Sequence, residues 1–325
     1  MKIALITDTH WGARNDNTAF SNYFSKFYDN IFFPYLEKHN IKACIHLGDV
    51  VDRRKYINFK TANDLRENFV ERLWKMGVDT HVIIGNHDIF YKNTNDINSM
   101  EELFTSSDGQ YEPWIYASPR EVEFDGTKIM MMPWITSDNY IECMGAIKNS
   151  SSQIMMGHLE ISGFEMHRGQ ICDTGFTAEM FSKFDLVYSG HFHHKSTQGS
   201  ITYLGNPYEI TWSDYQDARG FHVFDTETRE LQFIQNPYHM FNKIYYDDTK
   251  ETFEKIKERD YEQYAGSIIK IIVVQKQNPY WFDTMLDELY KVDVVDISVI
   301  ENIDLEFEDD DTVIDEAEDT LTILS

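Results

Sequence analysis

Strand-like segments alternating with helix-like ones predict a layered α/β protein with parallel or mixed sheets. Three observations carry the prediction. Short apolar runs recur at 2–7, 43–47, 80–84, 128–132, 153–156 and 186–188, each stopping at a turn-like or polar motif, as buried strands do. Helical patterns fill the gaps, notably at 20–38 and 61–76. The chain has 325 residues and 42% hydrophobic content, enough to bury one large core and a smaller one.

The large sheet core is expected over roughly residues 1–225. In the first helix Phe20, Phe24, Phe27, Ile31 and Tyr35 recur at helical spacing, which assigns that aromatic face to the core rather than to base stacking. Beyond Asn236 and Pro237 the pattern becomes strand 243–246, helix 249–261, strand 267–274, helix 280–290 and strand 292–300. That is a compact β-α-β-α-β unit whose last two strands are expected to pair. The expected organisation is therefore 1–236, 237–303 and an acidic tail, 304–325. From Glu301 onward there are eleven acidic residues and no basic one. The run 306–311 has the composition of a solvated linker. After it Val313, Ala317, Leu321 and Leu324 follow spacings of four, four and three, the stripe of a helix that docks on a partner. The chain stops inside that pattern, so the helix is expected either to continue in a longer chain or to order only when a partner covers it.

No apolar run reaches the roughly 20 residues of a membrane-spanning helix, and the first residues lack a signal-peptide pattern, so a cytoplasmic location is expected. Cys44, Cys143 and Cys172 are odd in number and scattered, without metal-ligand spacing, and read as core thiols.

Five short clusters hold nearly all the metal-capable side chains that follow predicted strands. They are Asp8-Thr9-His10, Gly48-Asp49 with Asp52, Gly85-Asn86-His87-Asp88, Gly157-His158, and Gly190-His191-Phe192-His193. Ligands of open α/β sheets gather outside the carboxyl ends of strands, so these clusters are expected to converge on one crevice. Asp8/His10 and His191/His193 are two apart, and in extended chain such residues point the same way. Glycines at 48, 85, 157 and 190 each precede a candidate ligand, where a missing side chain permits close packing around a small site. Carboxylate, imidazole and one amide oxygen suit Mn²⁺ first, then Fe²⁺ or Zn²⁺, better than an all-oxygen Ca²⁺ site. Outside the clusters His39, His46, His81, His167, His222 and His239 read as core or structural residues, while His194 is open between the surface and a supporting role.

In order, D-x-H, G-D-x-x-D-R, G-N-H-D, G-H and G-H-x-H resemble the motifs of the calcineurin-like metallophosphoesterase superfamily. Within it, Asp8-Thr9-His10-Trp11-Gly12, Tyr203-Leu204-Gly205-Asn206-Pro207 and Arg219-Gly220-Phe221 resemble the SbcD-type DNA double-strand-break repair nucleases, especially the recombination nucleases of large tailed phages. The resemblance is strong over about 1–225 and rests on element pattern alone to about 300. It implies a layered β-sandwich metallophosphoesterase domain flanked by helices, with a small α+β capping domain. It also implies one ion held by Asp8, His10 and His193, another by Asn86, His158 and His191, and Asp49 bridging them. His87 would stand beside the scissile phosphate, with Asp52 and Asp88 orienting imidazoles or Arg53. Two divalent ions roughly 3.5 to 4 Å apart suit in-line phosphate displacement, so exonuclease and endonuclease hydrolysis of DNA follows as the expected activity.

The implied partners are DNA, an SbcC-type coiled-coil ATPase and a second copy of the chain. Dimerisation would use helices near 60–76 and 97–104, although a face such as Leu65, Phe69 and Leu73 is equally what a core requires. A formal net charge of −26 opposes phosphate binding, so a partner is expected to hold much of the DNA. Arg14, Arg53, Arg54, Lys55 and Lys60 are the local candidates for phosphate contacts. The same centre would equally serve a phosphatase acting on a phosphoprotein or small phosphoester, or a cyclic-nucleotide phosphodiesterase. A scaffold subunit without catalysis is the third alternative.

Overall fold

The computed structural model describes residues 1–105, 113–167 and 169–301; the acidic run and the apolar stripe expected in the tail lie outside them. Among the described residues two compact units share the chain, Met1–Tyr208 with Gln216–Pro237 in one, and Glu209–Tyr215 with 238–301 in the other.

The larger unit holds, in chain order, β1 (Lys2–Ile6), β2 (Ala43–His46), β3 (Asp79–Ile83), β4 (Trp114–Tyr116), β5 (Arg120–Phe124), β6 (Thr127–Met132) and β7 (Ile154–His158). It continues with β8 (Glu165–His167), β9 (Gln170–Ile171), β10 (Leu186–Gly190), β11 (Ser196–Gln198), β12 (Ile201–Tyr203), β13 (Gly220–Asp225) and β14 (Leu231–Gln235). Two six-stranded sheets result, in the orders β14-β13-β1-β2-β3-β4 and β11-β12-β10-β7-β6-β5. Alternation along each strand explains the layering. Ile129 and Met131 of β6 join Ile3, Leu5, Ile45 and Ile83 in a core between the sheets, while Met130 and Met132 face the other way with Cys143 and Ile147 of the helix Tyr140–Asn149. This is the layered α/β arrangement that the residue pattern predicts, and the β-sandwich flanked by helices that the family resemblance implies. The parallel pairs β1–β2, β2–β3 and β7–β10 bring their carboxyl ends to common edges, which is where the motif clusters lie.

The first long helix corrects one expectation. It runs as Thr18–Phe27 and Phe33–Lys38, joined by a wide π turn at Tyr28–Phe32. Pro34, just after that turn, has no N–H to continue the ladder. The extra residue in the wide turn moves the buried face one position along. Phe20, Phe24 and Phe27 are buried as expected, but Phe32, Phe33 and Leu36 then take the places expected of Ile31 and Tyr35, which are only half-buried. The second helix, Phe59–Leu65 to Glu71–Lys75, also passes through a π turn. Its Leu65, Phe69 and Leu73 are fully buried in this chain, so of the two uses left open for that face the core is the one realised.

The smaller unit is a parallel sheet, β15 (Phe241–Asp247), β16 (Ile268–Gln275) and β17 (Asp296–Ile300), with helices Phe253–Glu258 and Pro279–Lys291 in the crossovers. Ile256, Phe282, Met285 and Leu289 pack with Ile244, Ile269 and Ile271 to form its core. Glu209 accepts the N–H groups of Met240 and Phe241 at 2.7 and 2.9 Å, and Trp212 lies against the Phe241 ring with the Lys270 ammonium 4.4 Å away. These contacts account for 209–215 belonging to this unit. Among the described residues no helix is long and apolar enough to cross a membrane.

Candidate metal centre

Loops after β1, β2, β3 and β10, with the last residue of β7, build the site, and backbone amides tie them together. Asp8 N–H donates to the Gly48 carbonyl at 3.0 Å and Trp11 N–H to that of Val50 at 2.8 Å. His191 N–H donates to the Asp8 carboxylate at 3.0 Å, and His87 N–H to Asp49 Oδ1 at 2.8 Å. These contacts demand glycine. Gly48 has φ +97°, and a Cβ there would fall 2.4 Å from His158 Nδ1.

Side chains from these loops meet in two groups. Asp8, His10 and His193 offer ligand atoms within 4.8 Å of one another, and so do Asp49, His158 and His191. Asn86 joins the second group, its Oδ1 3.0 Å from His158 Nε2 and 3.1 Å from His191 Nδ1. Asp49 Oδ2 is 3.2 Å from His158 Nε2 and 4.0 Å from His10 Nε2, so this carboxylate lies between the groups. His10 and His193 face each other through Nε2 at 3.1 Å.

The atoms themselves fit divalent cations. His158 Nδ1 lies 2.7 Å from the Leu47 carbonyl, which can only accept, so the proton sits on Nδ1 and the Nε2 lone pair faces Asp49 Oδ2 and Asn86 Oδ1. Three electron-rich atoms facing one buried point require a cation or a proton among them. Metal-free, the proton takes that part. Burial pushes the His158 pKa down, but Asp49 and then Asp8 outweigh it and raise it to about 9. Burial likewise opposes ionisation of Asp49, yet His158 and His87 hold it well below the usual carboxylate range, whereas burial leaves Asp8 raised.

Several placements depart from expectation. Asp8 and His10 do not lie in extended chain; β1 ends at Ile6, and these residues have φ of 51° and 43°, so left-handed turns rather than strand alternation turn both inward. Asp49 and His191 are also left-handed, at 53° and 89°, a concentration of backbone strain in one small site. His191 and His193 diverge to different groups. Asp52 does face an imidazole, Oδ1 lying 3.6 Å from His10 Nδ1. Asp88 has its carboxylate hydrogen-bonded to backbone amides, with His158 within electrostatic reach. It accepts the N–H groups of Val50, Val51 and Gly85 at 2.9, 3.2 and 2.9 Å, because two loops turn their amides toward it. His87 is half-buried at the edge, its Nδ1 donating to the Asp52 carbonyl at 2.6 Å and its ring edge-on to His10.

The basic candidates are not equivalent. Arg53 pairs with Asp16 and stacks over Tyr56, and Lys60 pairs with Asp64, so both carry acidic partners. Arg54 is half-buried and within electrostatic reach of Asp49, while Lys55 and Arg14 are exposed, the latter 5.9 Å over the Phe20 ring. Among the other histidines, His46 is buried against the Thr9 hydroxyl at 2.9 Å. His194 is held by Asp217 at 2.7 Å and Glu165 at 3.4 Å. His167, read from sequence as structural, lies 5.8 Å from the His193 ring.

Sequence reasoning missed two supports. Arg219 donates to the His193 carbonyl and to Asn206 Oδ1, so two residues noticed only as family signature hold a candidate ligand's backbone. Glu160, fully buried, sits behind His191 with its Oε2 3.6 Å from Nε2. In the sequence it is only an acidic residue two positions past the Gly157-His158 pair.

A family model for calcineurin-like phosphoesterases matches residues 1–195. The chain belongs to that family. Its members use divalent metals, in agreement with the two donor groups. The chain is 32% identical over 315 residues to exonuclease subunit 1 of Enterobacteria phage T4, covering 96% of this chain and 87% of that protein. It is 25% identical over 260 residues to the SbcD subunit of the SbcCD nuclease of Staphylococcus epidermidis, covering 71% and 67%. A solved archaeal phosphodiesterase aligns over 73% of this chain and 100% of its own at 16% identity, with a TM-score of 0.35.

Proposed function

We propose that this phosphoesterase is a two-metal DNA nuclease, with exonuclease and endonuclease activity, working in double-strand-break repair and recombination beside an SbcC-type ATPase. The observation that carries the reading is Asp49, whose Oδ2 stands between two histidine-rich groups in a chain 32% identical over nearly its whole length to a phage exonuclease subunit. Asp8, His10 and His193 would hold one ion and Asn86, His158 and His191 the other, with Asp49 shared. Manganese is the first choice for a mixed nitrogen and oxygen set. A pair of such ions supplies a water activated near neutral pH and charge stabilisation on the phosphate.

The protein's own groups would do the rest. His87, with its Nδ1 donating to the Asp52 carbonyl, would in its protonated form have Nε2–H to donate to the departing oxygen. Asp88 keeps the loops carrying Asp49 and Asn86 in register. Arg14 and Lys55, both exposed, are better placed than Arg53 and Lys60 to meet DNA phosphates, with the half-buried Arg54 a further candidate. The unit from Tyr238 onward is read as the capping domain. A homodimer through the helices after the second and third motifs would use exposed side chains such as Phe59 and Trp74, 95% and 51% accessible, rather than the buried Leu65 stripe. The acidic excess is accommodated if the ATPase carries the basic DNA-facing surface, in the bacterial host cytoplasm. The deciding experiment compares hydrolysis of labelled duplex and single-stranded DNA with that of a phosphomonoester and a cyclic nucleotide, all in Mn²⁺. Preference for DNA by orders of magnitude is expected; preference for either small substrate would overturn the proposal.

A further inference from the structure

We propose that Glu160 is a positioning residue of the second metal group, fixing which nitrogen of His191 faces the ion. The inference rests on the two-metal reading above and adds to it a determinant of the metal affinity of one group.

A carboxylate in this position is costly to bury unless its oxygens are matched. Glu160 is 1% accessible. Its Oε1 accepts from the Thr174 hydroxyl at 3.0 Å, and its backbone carbonyl accepts from Phe176 N–H at 2.9 Å. Gly175, at φ +86°, lets that segment close over it; a Cβ there would stand 2.5 Å from the Glu160 carbonyl oxygen. With Oε1 and the backbone held, the carboxyl plane is set and Oε2 is directed at His191 Nε2, 3.6 Å away. The imidazole is confined from another side by Trp134, itself buried, at 4.9 Å between ring centroids.

The consequence lies in the tautomer. An ionised carboxylate can only accept, so facing it favours the His191 form with its proton on Nε2. That leaves the lone pair on Nδ1, the atom 3.1 Å from Asn86 Oδ1 and on the side of Asp49 and His158. In the other tautomer Nδ1 would donate its proton to Asn86 and the lone pair would sit on Nε2, facing Glu160 instead of the cation. At 3.6 Å the carboxylate acts on the imidazole through its charge, which favours the proton on Nε2 and raises the basicity of the ligating nitrogen. The other group has a parallel in Asp52 facing His10 Nδ1, so each group contains a histidine backed by a carboxylate.

The test is a Mn²⁺ titration of the full chain by calorimetry, comparing wild type with Glu160→Gln, which keeps shape and removes charge. Metal-free melting and the ¹⁵N shifts of His191, the latter in metal-free and Zn²⁺-loaded protein, accompany it. Wild type is expected to bind two ions, with His191 protonated at Nε2. Glu160→Gln should weaken one ion by about tenfold or more, in the range found for groups that support ligands, and leave the other unchanged. Equal weakening of both ions would make Glu160 a general structural residue and overturn the proposal, as would unchanged affinities. A His191 protonated on Nδ1 in wild-type protein would overturn it directly, whether or not the variant folds. Wild type binding fewer than two ions would instead refute the two-metal reading on which it stands.

Discussion

Placing a single methyl group at Gly190 tests how closely two loops of the metal centre must approach. Gly190 ends β10, paired with His158 and immediately before His191. Its backbone is not left-handed, so alanine there is opposed only by space. A Cβ at this position would sit 2.0 Å from Thr7 Oγ1, 2.8 Å from the Leu47 carbonyl oxygen and 3.0 Å from Asp8 Oδ2. Relieving the shortest contact requires about 1 Å of separation between the end of β10 and the loop after β1, a strain worth about 1–3 kcal/mol of stability. That displacement acts on candidate ligands of both groups, because Asp8 accepts His191 N–H. A misplacement of this size costs on the order of 100-fold in turnover. Denaturant unfolding of the metal-free protein and Mn²⁺-dependent hydrolysis of labelled DNA measure the two effects. Thr7→Ala removes the nearest atom at the cost of its 2.7 Å hydrogen bond to Asp8, so the double variant should recover part of the stability lost in Gly190→Ala. A Gly190→Ala protein with wild-type stability and turnover would refute the close approach.

Other expectations follow from single residues. Asp49→Ala should lose bound metal and activity together, and metal analysis returning two ions per chain would remove its bridging role. His87→Ala should keep both ions yet lose about 10²–10⁴-fold in hydrolysis, so near-normal turnover would exclude it from the chemistry. Phe32→Ala should cost about 3–5 kcal/mol, as for a fully buried aromatic, and Tyr35→Ala far less; the reverse order would contradict the shifted face after the π turn. Burial lowers the pKa of His81 to about 4 and of His222 to about 3, whereas the unfolded chain takes up these protons near 6.5. Below pH 6.5 the unfolded state therefore binds more protons and stability falls with pH, by about 2 kcal/mol per histidine at pH 5. His222→Leu should reduce the stability lost between pH 6.5 and 5 by about 1.6 kcal/mol in denaturant titrations, and an unchanged slope would refute its part.

What the sequence determined by itself was the inventory and its order. Period-two runs such as 128–132 send alternate methionines to opposite faces whatever the tertiary context, so the layered α/β class was legible. Polar clusters directly after apolar strands had to emerge at sheet edges, because charged groups cannot stay in the core, and the same clusters meet in space here. Tertiary structure decided how they meet. Left-handed backbone at Asp8, His10, Asp49 and His191 is unfavourable locally and persists only where amides from remote loops, such as those of His87 and His191, reward it. The division of His191 and His193 between two groups and the turning of Asp88 toward three amides depend likewise on contacts between segments far apart in the chain. The π turn at Tyr28–Phe32 moved a buried face by one residue, a shift that helical periodicity read at constant pitch cannot anticipate. Glu160 looked like one acidic residue among many, since only burial beside an imidazole separates a supporting carboxylate from a solvated one.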